Sequence, residues 1–109
     1  MLILIGIPNC DSVKKARKEL DAKGITYTFR DFRKEPLSAE EWFNILQQDI
    51  QEKLLNRKGT TYRQLQPEWD PLSNEARAQV LAIHPTLAKR PIILANLALA
   101  SIGLPIALP

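Results

Sequence analysis

An α/β fold on a mixed sheet, with a helical subdomain inserted in its middle, is predicted for this 109-residue chain by three observations. The chain opens β-α-β: an apolar run from Leu2 to Ile7, an amphipathic helix signal after it, and an alternating strand over Ile25 to Phe32. The middle changes character and carries capped helix signals broken by prolines. The last part returns to β signals with a turn between them, which reads as a hairpin.

Each element has its own reason. Leu2 to Ile7 is continuously apolar, as a central strand buried on both faces is. In the helix that follows, Val13, Ala16 and Leu20 recur at helical spacing, Asp11 or Ser12 can serve as N-cap, and Gly24 fits the position just past the end. Ile25, Tyr27 and Phe29 then share one face of a strand. A strand, helix and strand in this order imply a right-handed crossover and a parallel pair.

In the middle, Ser38-Ala39-Glu40-Glu41 is a capping box and Leu37 can staple onto Trp42, which predicts a helix from about Ala39 to Gln48. Ile50 to Leu55 reads as a second short helical stretch, and Asn56-Arg57-Lys58-Gly59-Thr60-Thr61-Tyr62 as a loop. Pro67 and Pro71 break the chain before Ser73 or Asn74 opens a helix carrying Ala76, Val80, Leu81 and Ile83. Finally, Ile92-Ile93-Leu94, a turn near Asn96, and Leu97 to Ile102 ending at Gly103 make the hairpin. This order suggests one domain, with a thioredoxin-like core from residues 1–35 and 85–109 and a helical insertion over about 36–84.

Composition narrows the function classes. A hydrophobic content of 45% suffices for one ordinary core. With one cysteine and one histidine the chain has no internal disulfide and too few soft ligands for a metal site, which fits a reducing cytoplasm. The N-terminus shows neither a basic segment nor a cleavage pattern, and the most apolar stretch, Pro91 to Pro109, is interrupted by Asn96, Ser101, Gly103 and Pro105; neither a signal peptide nor a membrane span is expected. The net charge of +3 is modest and its cations are spread along the chain, which suits a small anion in one cleft better than nucleic acid.

Cys10 is the residue that carries chemistry. A free cysteine is most often a small buried hydrophobe. Here, however, Pro8, Asn9 and Asp11 are turn and cap formers that put the thiol on a loop rim at the start of a helix. There the unpaired N–H groups and the positive end of the macrodipole favour thiolate, and Lys14 and Lys15 add to this if they point toward the sulfur. That placement marks a nucleophile.

Three segments, Gly6-Ile7-Pro8-Asn9-Cys10-Asp11-Ser12-Val13-Lys14-Lys15-Ala16, Leu54-Leu55-Asn56-Arg57-Lys58-Gly59-Thr60-Thr61-Tyr62-Arg63 and Lys89-Arg90-Pro91-Ile92-Ile93-Leu94, resemble in order the glutaredoxin-coupled arsenate reductase and Spx superfamily, and most of all its YffB-like branch. The resemblance implies a thioredoxin-like fold with an inserted helical subdomain, and a single nucleophilic cysteine, Cys10, that forms a mixed disulfide with glutathione as co-substrate. It places Arg57 and Arg90 where the family binds oxyanions and lowers the thiol pKa, and Pro91 where the thioredoxin fold has its cis-proline beside the active site. Two guanidinium groups there would stabilise thiolate and offer forked donors to arsenate or to a glutathione carboxylate. Asn9 and the helix-start N–H groups would help hold the anion. On the residues alone, Arg57 reads as a solvated loop charge, Arg90 as a surface pair and Pro91 as a trans proline opening an edge strand.

Two departures bear on the substrate. Arsenate reductases of the superfamily bring a further arginine from the hairpin region, and Ala100-Ser101-Ile102-Gly103-Leu104-Pro105 contains none, which favours a thiol reductase over a true arsenate reductase. Family members usually continue into a polar terminal helix, whereas this chain ends Leu104-Pro105-Ile106-Ala107-Leu108-Pro109; either the tail covers the patch the helix would cover or the patch invites a partner. No resolving cysteine is present, so recycling falls to glutathione or a glutaredoxin. The alternative from another class is an Spx-like regulator that binds RNA polymerase without catalysis. Val13 stands where redox-switched Spx proteins carry their second cysteine, so an intramolecular switch is excluded. His84 lies before Pro85 at a predicted helix end, where it interacts with the last carbonyls rather than with the thiol, and Trp42 and Trp69 read as subdomain anchors.

Overall fold

The apolar run forms β1 (Leu2–Gly6), and the other strands are β2 (Thr28–Asp31), β3 (Ile92–Ala95) and β4 (Ala98–Ile102). In the computed structural model, which describes residues 1–108, they make one mixed sheet in the order β2-β1-β3-β4. β1 runs parallel to β2, with Ile3 opposite Thr28, and antiparallel to β3, with Leu4 opposite Ile93. The β3–β4 pair is the predicted hairpin, with a bulge between Ile93 and Leu94. Its turn residues Asn96 and Leu97 both have positive φ, 49° and 69°, as the tight turns that match strand twist require. Asn96 Oδ1 accepts a hydrogen bond from the Met1 ammonium at 2.7 Å.

The chain divides by its internal contacts into two compact units, Met1–Pro36 with the segment from Arg90 onward, and Leu37–Lys89. In the first unit, α1 (Asp11–Ala22) buries Val13, Ala16 and Leu20 on a cluster with Leu4 and Ile93. Cys10 begins this helix as its N-cap, one residue before the predicted Asp11 or Ser12. At the other end the Ile25 N–H bonds Leu20 O at 2.9 Å and the Gly24 N–H bonds Asp21 O at 3.1 Å, a Schellman closure for which Gly24 takes φ +66°. β2 is shorter than the predicted Ile25 to Phe32, yet Ile25, Tyr27 and Phe29 all pack on the core cluster as their alternation implied. Ile106 and Leu108 also pack on it, and the Ala107 N–H bonds Ser101 Oγ at 2.9 Å, so the tail itself covers apolar surface.

The second unit holds α2 (Ala39–Gln48), α3 (Thr60–Leu65), α4 (Asn74–Ile83) and a 3₁₀ turn at Pro85–Leu87. α2 starts at the predicted capping box, with Glu41 N–H to Ser38 Oγ at 3.1 Å and Ser38 N–H to Glu41 Oε1 at 3.0 Å. It packs against α4, capped by Ser73, and Trp42 and Trp69 are both buried in this unit. Ala78 and Leu81 rather than Ala76 and Ile83 form the buried side of α4.

Ile50 to Leu55 is not a helix. Asp49 ends α2 and its carboxylate takes the Lys53 and Leu54 N–H groups at 2.9 and 2.8 Å, which leaves Ile50 exposed and turns the chain through Glu52 at φ 52°. The supposed loop at Thr60 is instead α3, a six-residue helix with no buried residue and hence no apolar stripe to announce it. This unit runs on through Lys89, because Asn56 N–H bonds Leu87 O at 2.8 Å and Lys89 N–H bonds Leu54 O at 2.7 Å.

Candidate active site

At the last residue of β1, α1 passes too close for a side chain: a Cβ on Gly6 would stand 2.6 Å from Val13 Cγ2. The chain then turns through Ile7-Pro8-Asn9, closed by a weak Cys10 N–H to Ile7 O bond at 3.4 Å, and presents Cys10 at the head of the helix. Cys10 has extended backbone angles, φ −91° and ψ 128°, and its carbonyl accepts from Lys14 N–H at 3.0 Å. The side chain is half-buried, its inner side against the core cluster.

Burial pushes the Cys10 thiol pKa up. The Val13 N–H, a hydrogen bond from the Arg90 guanidinium, the Ser12 N–H and the charge on Arg90 together outweigh that, and the net pKa lies below the ordinary 9.0. The sulfur forms no capping hydrogen bond of full geometry, so Val13 and Ser12 act on it mainly as oriented dipoles at the helix start. Lys14 and Lys15 are absent from these causes and their side chains are exposed to solvent.

Arg90 and Pro91 enter from the start of β3. The Arg90–Pro91 peptide bond is cis, Pro91 is buried, and its carbonyl accepts from Gly103 N–H at 2.8 Å, which fixes the segment against the end of the hairpin. Asn9 is exposed in the turn before the thiol. The first unit thus brings together Cys10, Asn9, Arg90 and Pro91 among the residues singled out from sequence.

Arg57 belongs to the helical unit. There it donates to Asp70 Oδ1 at 2.7 Å and to the Tyr62 hydroxyl at 3.3 Å, with its guanidinium 5.8 Å from the Tyr62 ring centre; Asp70, then Tyr62, raises its pKa. His84 is the C-cap of α4, its N–H bonded to Val80 O at 2.8 Å and its side chain exposed. Among the described residues, no group of three His, Cys, Asp or Glu side chains is placed to hold a metal, and no helix is long and apolar enough to cross a membrane. The contribution of Gly6 was not apparent in the sequence beyond its place in the motif; the signal was a glycine ending an apolar strand seven residues before a buried helical valine.

Known proteins are similar to this chain in sequence and in fold. The sequence model of the ArsC family matches residues 5–106. A global transcriptional regulator Spx of Listeria innocua is 31% identical over 96 residues, covering 86% of this chain and 73% of that protein. The crystal structure of a possible arsenate reductase from Streptococcus mutans superposes with TM-score 0.86 at 30% identity, covering 98% of this chain and 93% of that one. The YffB protein superposes with TM-score 0.83 at 28% identity, covering 94% and 90%. The mixed four-stranded sheet with its helices is the thioredoxin-like α/β fold of these structures.

Proposed function

Because the chain belongs to the ArsC family, we propose that it is a glutathione-dependent thiol oxidoreductase that works in the cytoplasm through Cys10 alone. The observation that carries this reading is the lowered pKa of a half-buried thiol between a guanidinium and a helix start. A lowered pKa favours the nucleophilic thiolate, whereas a cysteine that only fills space has a raised pKa.

In the proposed reaction the Cys10 thiolate attacks one sulfur of a substrate disulfide and the S–S bond breaks. The other sulfur leaves as thiolate and takes up a proton. Glutathione thiolate then attacks the new mixed disulfide, releasing Cys10 and leaving the substrate half bonded to glutathione, which a second glutathione or a glutaredoxin resolves. Arg90 favours the Cys10 thiolate and offers paired donors to an incoming carboxylate or oxyanion. Asn9 and the N–H groups after Cys10 add donors at the same place, and Pro91 is the active-site proline that the resemblance assigns. The family resemblance gives Arg57 the role of second anion-binding cation; within the helical unit its guanidinium is held by Asp70.

With arsenate in place of a disulfide, two electrons, one each from Cys10 and glutathione, would reduce arsenic and leave a Cys10–glutathione disulfide. The hairpin segment Ala100–Pro105 supplies no third arginine for that oxyanion, so disulfides are the favoured substrates. A second reading follows from the similarity to the Listeria Spx regulator: an adaptor that binds RNA polymerase independently of Cys10. Glutathione-coupled reduction of a model mixed disulfide by wild type and by Cys10→Ser separates the two. Loss of activity in a folded Cys10→Ser supports the oxidoreductase; activity that survives overturns it. A polymerase complex captured equally by both proteins establishes the adaptor.

A further inference from the structure

The thiol does not stand at the head of a neutral helix. Lys14 and Lys18 stand four residues apart on the surface of α1, and Cys10, its N-cap, precedes Lys14 by four. Lys14, Lys15 and Lys18 are exposed and make no ion pair among the described residues. A shallow, open depression of about 620 Å³ lies on this face of α1, lined by all three lysines and by Pro8 in the loop before the thiol; Cys10 adjoins it without lining it. Arg17 also lines it, but its guanidinium is taken by the Tyr27 hydroxyl at 3.1 Å and the Phe29 ring at 4.3 Å. Asp11 and Asp21 stand at its two ends.

We propose that this depression is the docking track for an acidic polypeptide whose oxidised cysteine is the substrate of Cys10. The inference rests on the oxidoreductase reading and narrows its substrate to protein-borne disulfides with carboxylates near the reacting cysteine. Spacing sets the register. Four helical residues rise about 6 Å, and an extended peptide advances about 3.3 Å per residue. A peptide with its sulfur at Cys10 therefore reaches Lys14 two residues on and Lys18 four residues on. Those two positions lie on the same side of an extended chain, so the preferred substrate carries Asp or Glu at the second and fourth positions from its cysteine. Glutathione, with its carboxylates one residue either side of its cysteine, does not reach Lys18 and uses the Arg90 end alone.

The test uses three synthetic peptides whose cysteine is a 2-thiopyridyl disulfide: one with Glu at positions two and four, one with Gln there, and one with the same Glu residues at positions one and three. Attack by Cys10 releases 2-thiopyridone, which is read by absorbance. In low salt the in-register acidic peptide should react about tenfold faster than the other two, and about 0.5 M salt should remove the difference. Lys14→Gln with Lys18→Gln should remove the preference while leaving the rate with the Gln peptide unchanged. Equal rates for the three peptides, or a preference that survives in the double variant, overturns the docking track. A second arm is independent of thiol chemistry: anisotropy of fluorescein-labelled peptides with Ser for Cys, titrated with Cys10→Ser protein. Selective binding there with no release of thiopyridone by wild type overturns the oxidoreductase reading and keeps the track; release without selectivity does the reverse.

Discussion

Arg90, the residue before the cis-proline, lies close enough to Cys10 for its guanidinium to lower the thiol pKa, entering just ahead of β3 while Cys10 caps α1. Half-burial alone would raise the pKa of this thiol; the Val13 N–H, the Arg90 guanidinium and the Ser12 N–H outweigh that. The expected consequence is a midpoint for Cys10 alkylation below 9.0 when labelling rate is followed against pH by intact mass. Labelling that waits for unfolding would identify a passive cysteine instead.

The same shift ties stability to pH. The folded-state pKa is depressed, so between the folded midpoint and 9.0 the unfolded chain holds the proton more often than the folded one. Stability of wild type relative to Cys10→Ser therefore rises with pH through that window, is fully present above 9.0, and is lost as pH falls through the folded midpoint. Urea unfolding of both proteins on either side of the window reads this, and a flat difference would contradict the shift.

Replacing Arg90 separates its charge from its geometry. Arg90→Ala removes both and should move the alkylation midpoint upward, since burial then opposes only the Val13 and Ser12 dipoles. Arg90→Lys keeps a point charge without the planar fork and should fall between the two. If the midpoint of Arg90→Ala equals that of wild type, the helix start alone sets the thiol.

Gly6→Ala tests how the strand-to-helix approach positions the sulfur. The added methyl meets Val13 Cγ2 at 2.6 Å in a fully buried contact, so the Val13 side chain or α1 with it must shift, at a cost of about 1–3 kcal/mol. The Val13 N–H faces Cys10, and the same shift should raise the thiol midpoint. Combining Gly6→Ala with Val13→Ala removes the clash, so the double variant should lose less stability than the two single losses together. Strict additivity in that cycle would mean the backbone yields elsewhere.

Where the fold was legible in the sequence, local chemistry and burial agreed. Ser38 and Glu41 announced α2, Val13, Ala16 and Leu20 announced the buried face of α1, and the apolar run announced β1. Where a side chain competed with the backbone pattern, the pattern misled. Asp49 captures the N–H groups of Lys53 and Leu54, so the apolar Ile50 and Leu54 mark no helix face. α3 was silent because it starts at Gly59 without a side-chain cap and buries nothing. At the site, Cys10 was visible from the turn formers around it, but Arg90 and Pro91 were visible only through family likeness. Their approach to the thiol depends on β3 pairing with β1 across some 85 intervening residues, and no local periodicity carries that (roughly, by sequence separation). For Arg57, the partners Tyr62, in α3, and Asp70, in the turn before α4, lie on different segments of the helical unit and leave no spacing signature.

The capping box of α2 supplies a test confined to the helical unit. Ser38 and Glu41 satisfy each other's backbone N–H groups at 3.0 and 3.1 Å, and Leu37, just before them, is buried along with Trp42. Ser38→Ala removes the acceptor for the Glu41 N–H and should cost about 1 kcal/mol. Ser38→Asp keeps an acceptor, places a negative charge at the helix start and should recover most of the loss. Because Cys10 and Arg90 belong to the other unit, the alkylation midpoint should stay at its wild-type value in both variants while the unfolding midpoint moves. A midpoint that shifted with Ser38→Ala would show that the helical unit contributes to thiolate stability, and would direct the next substitution to Arg57.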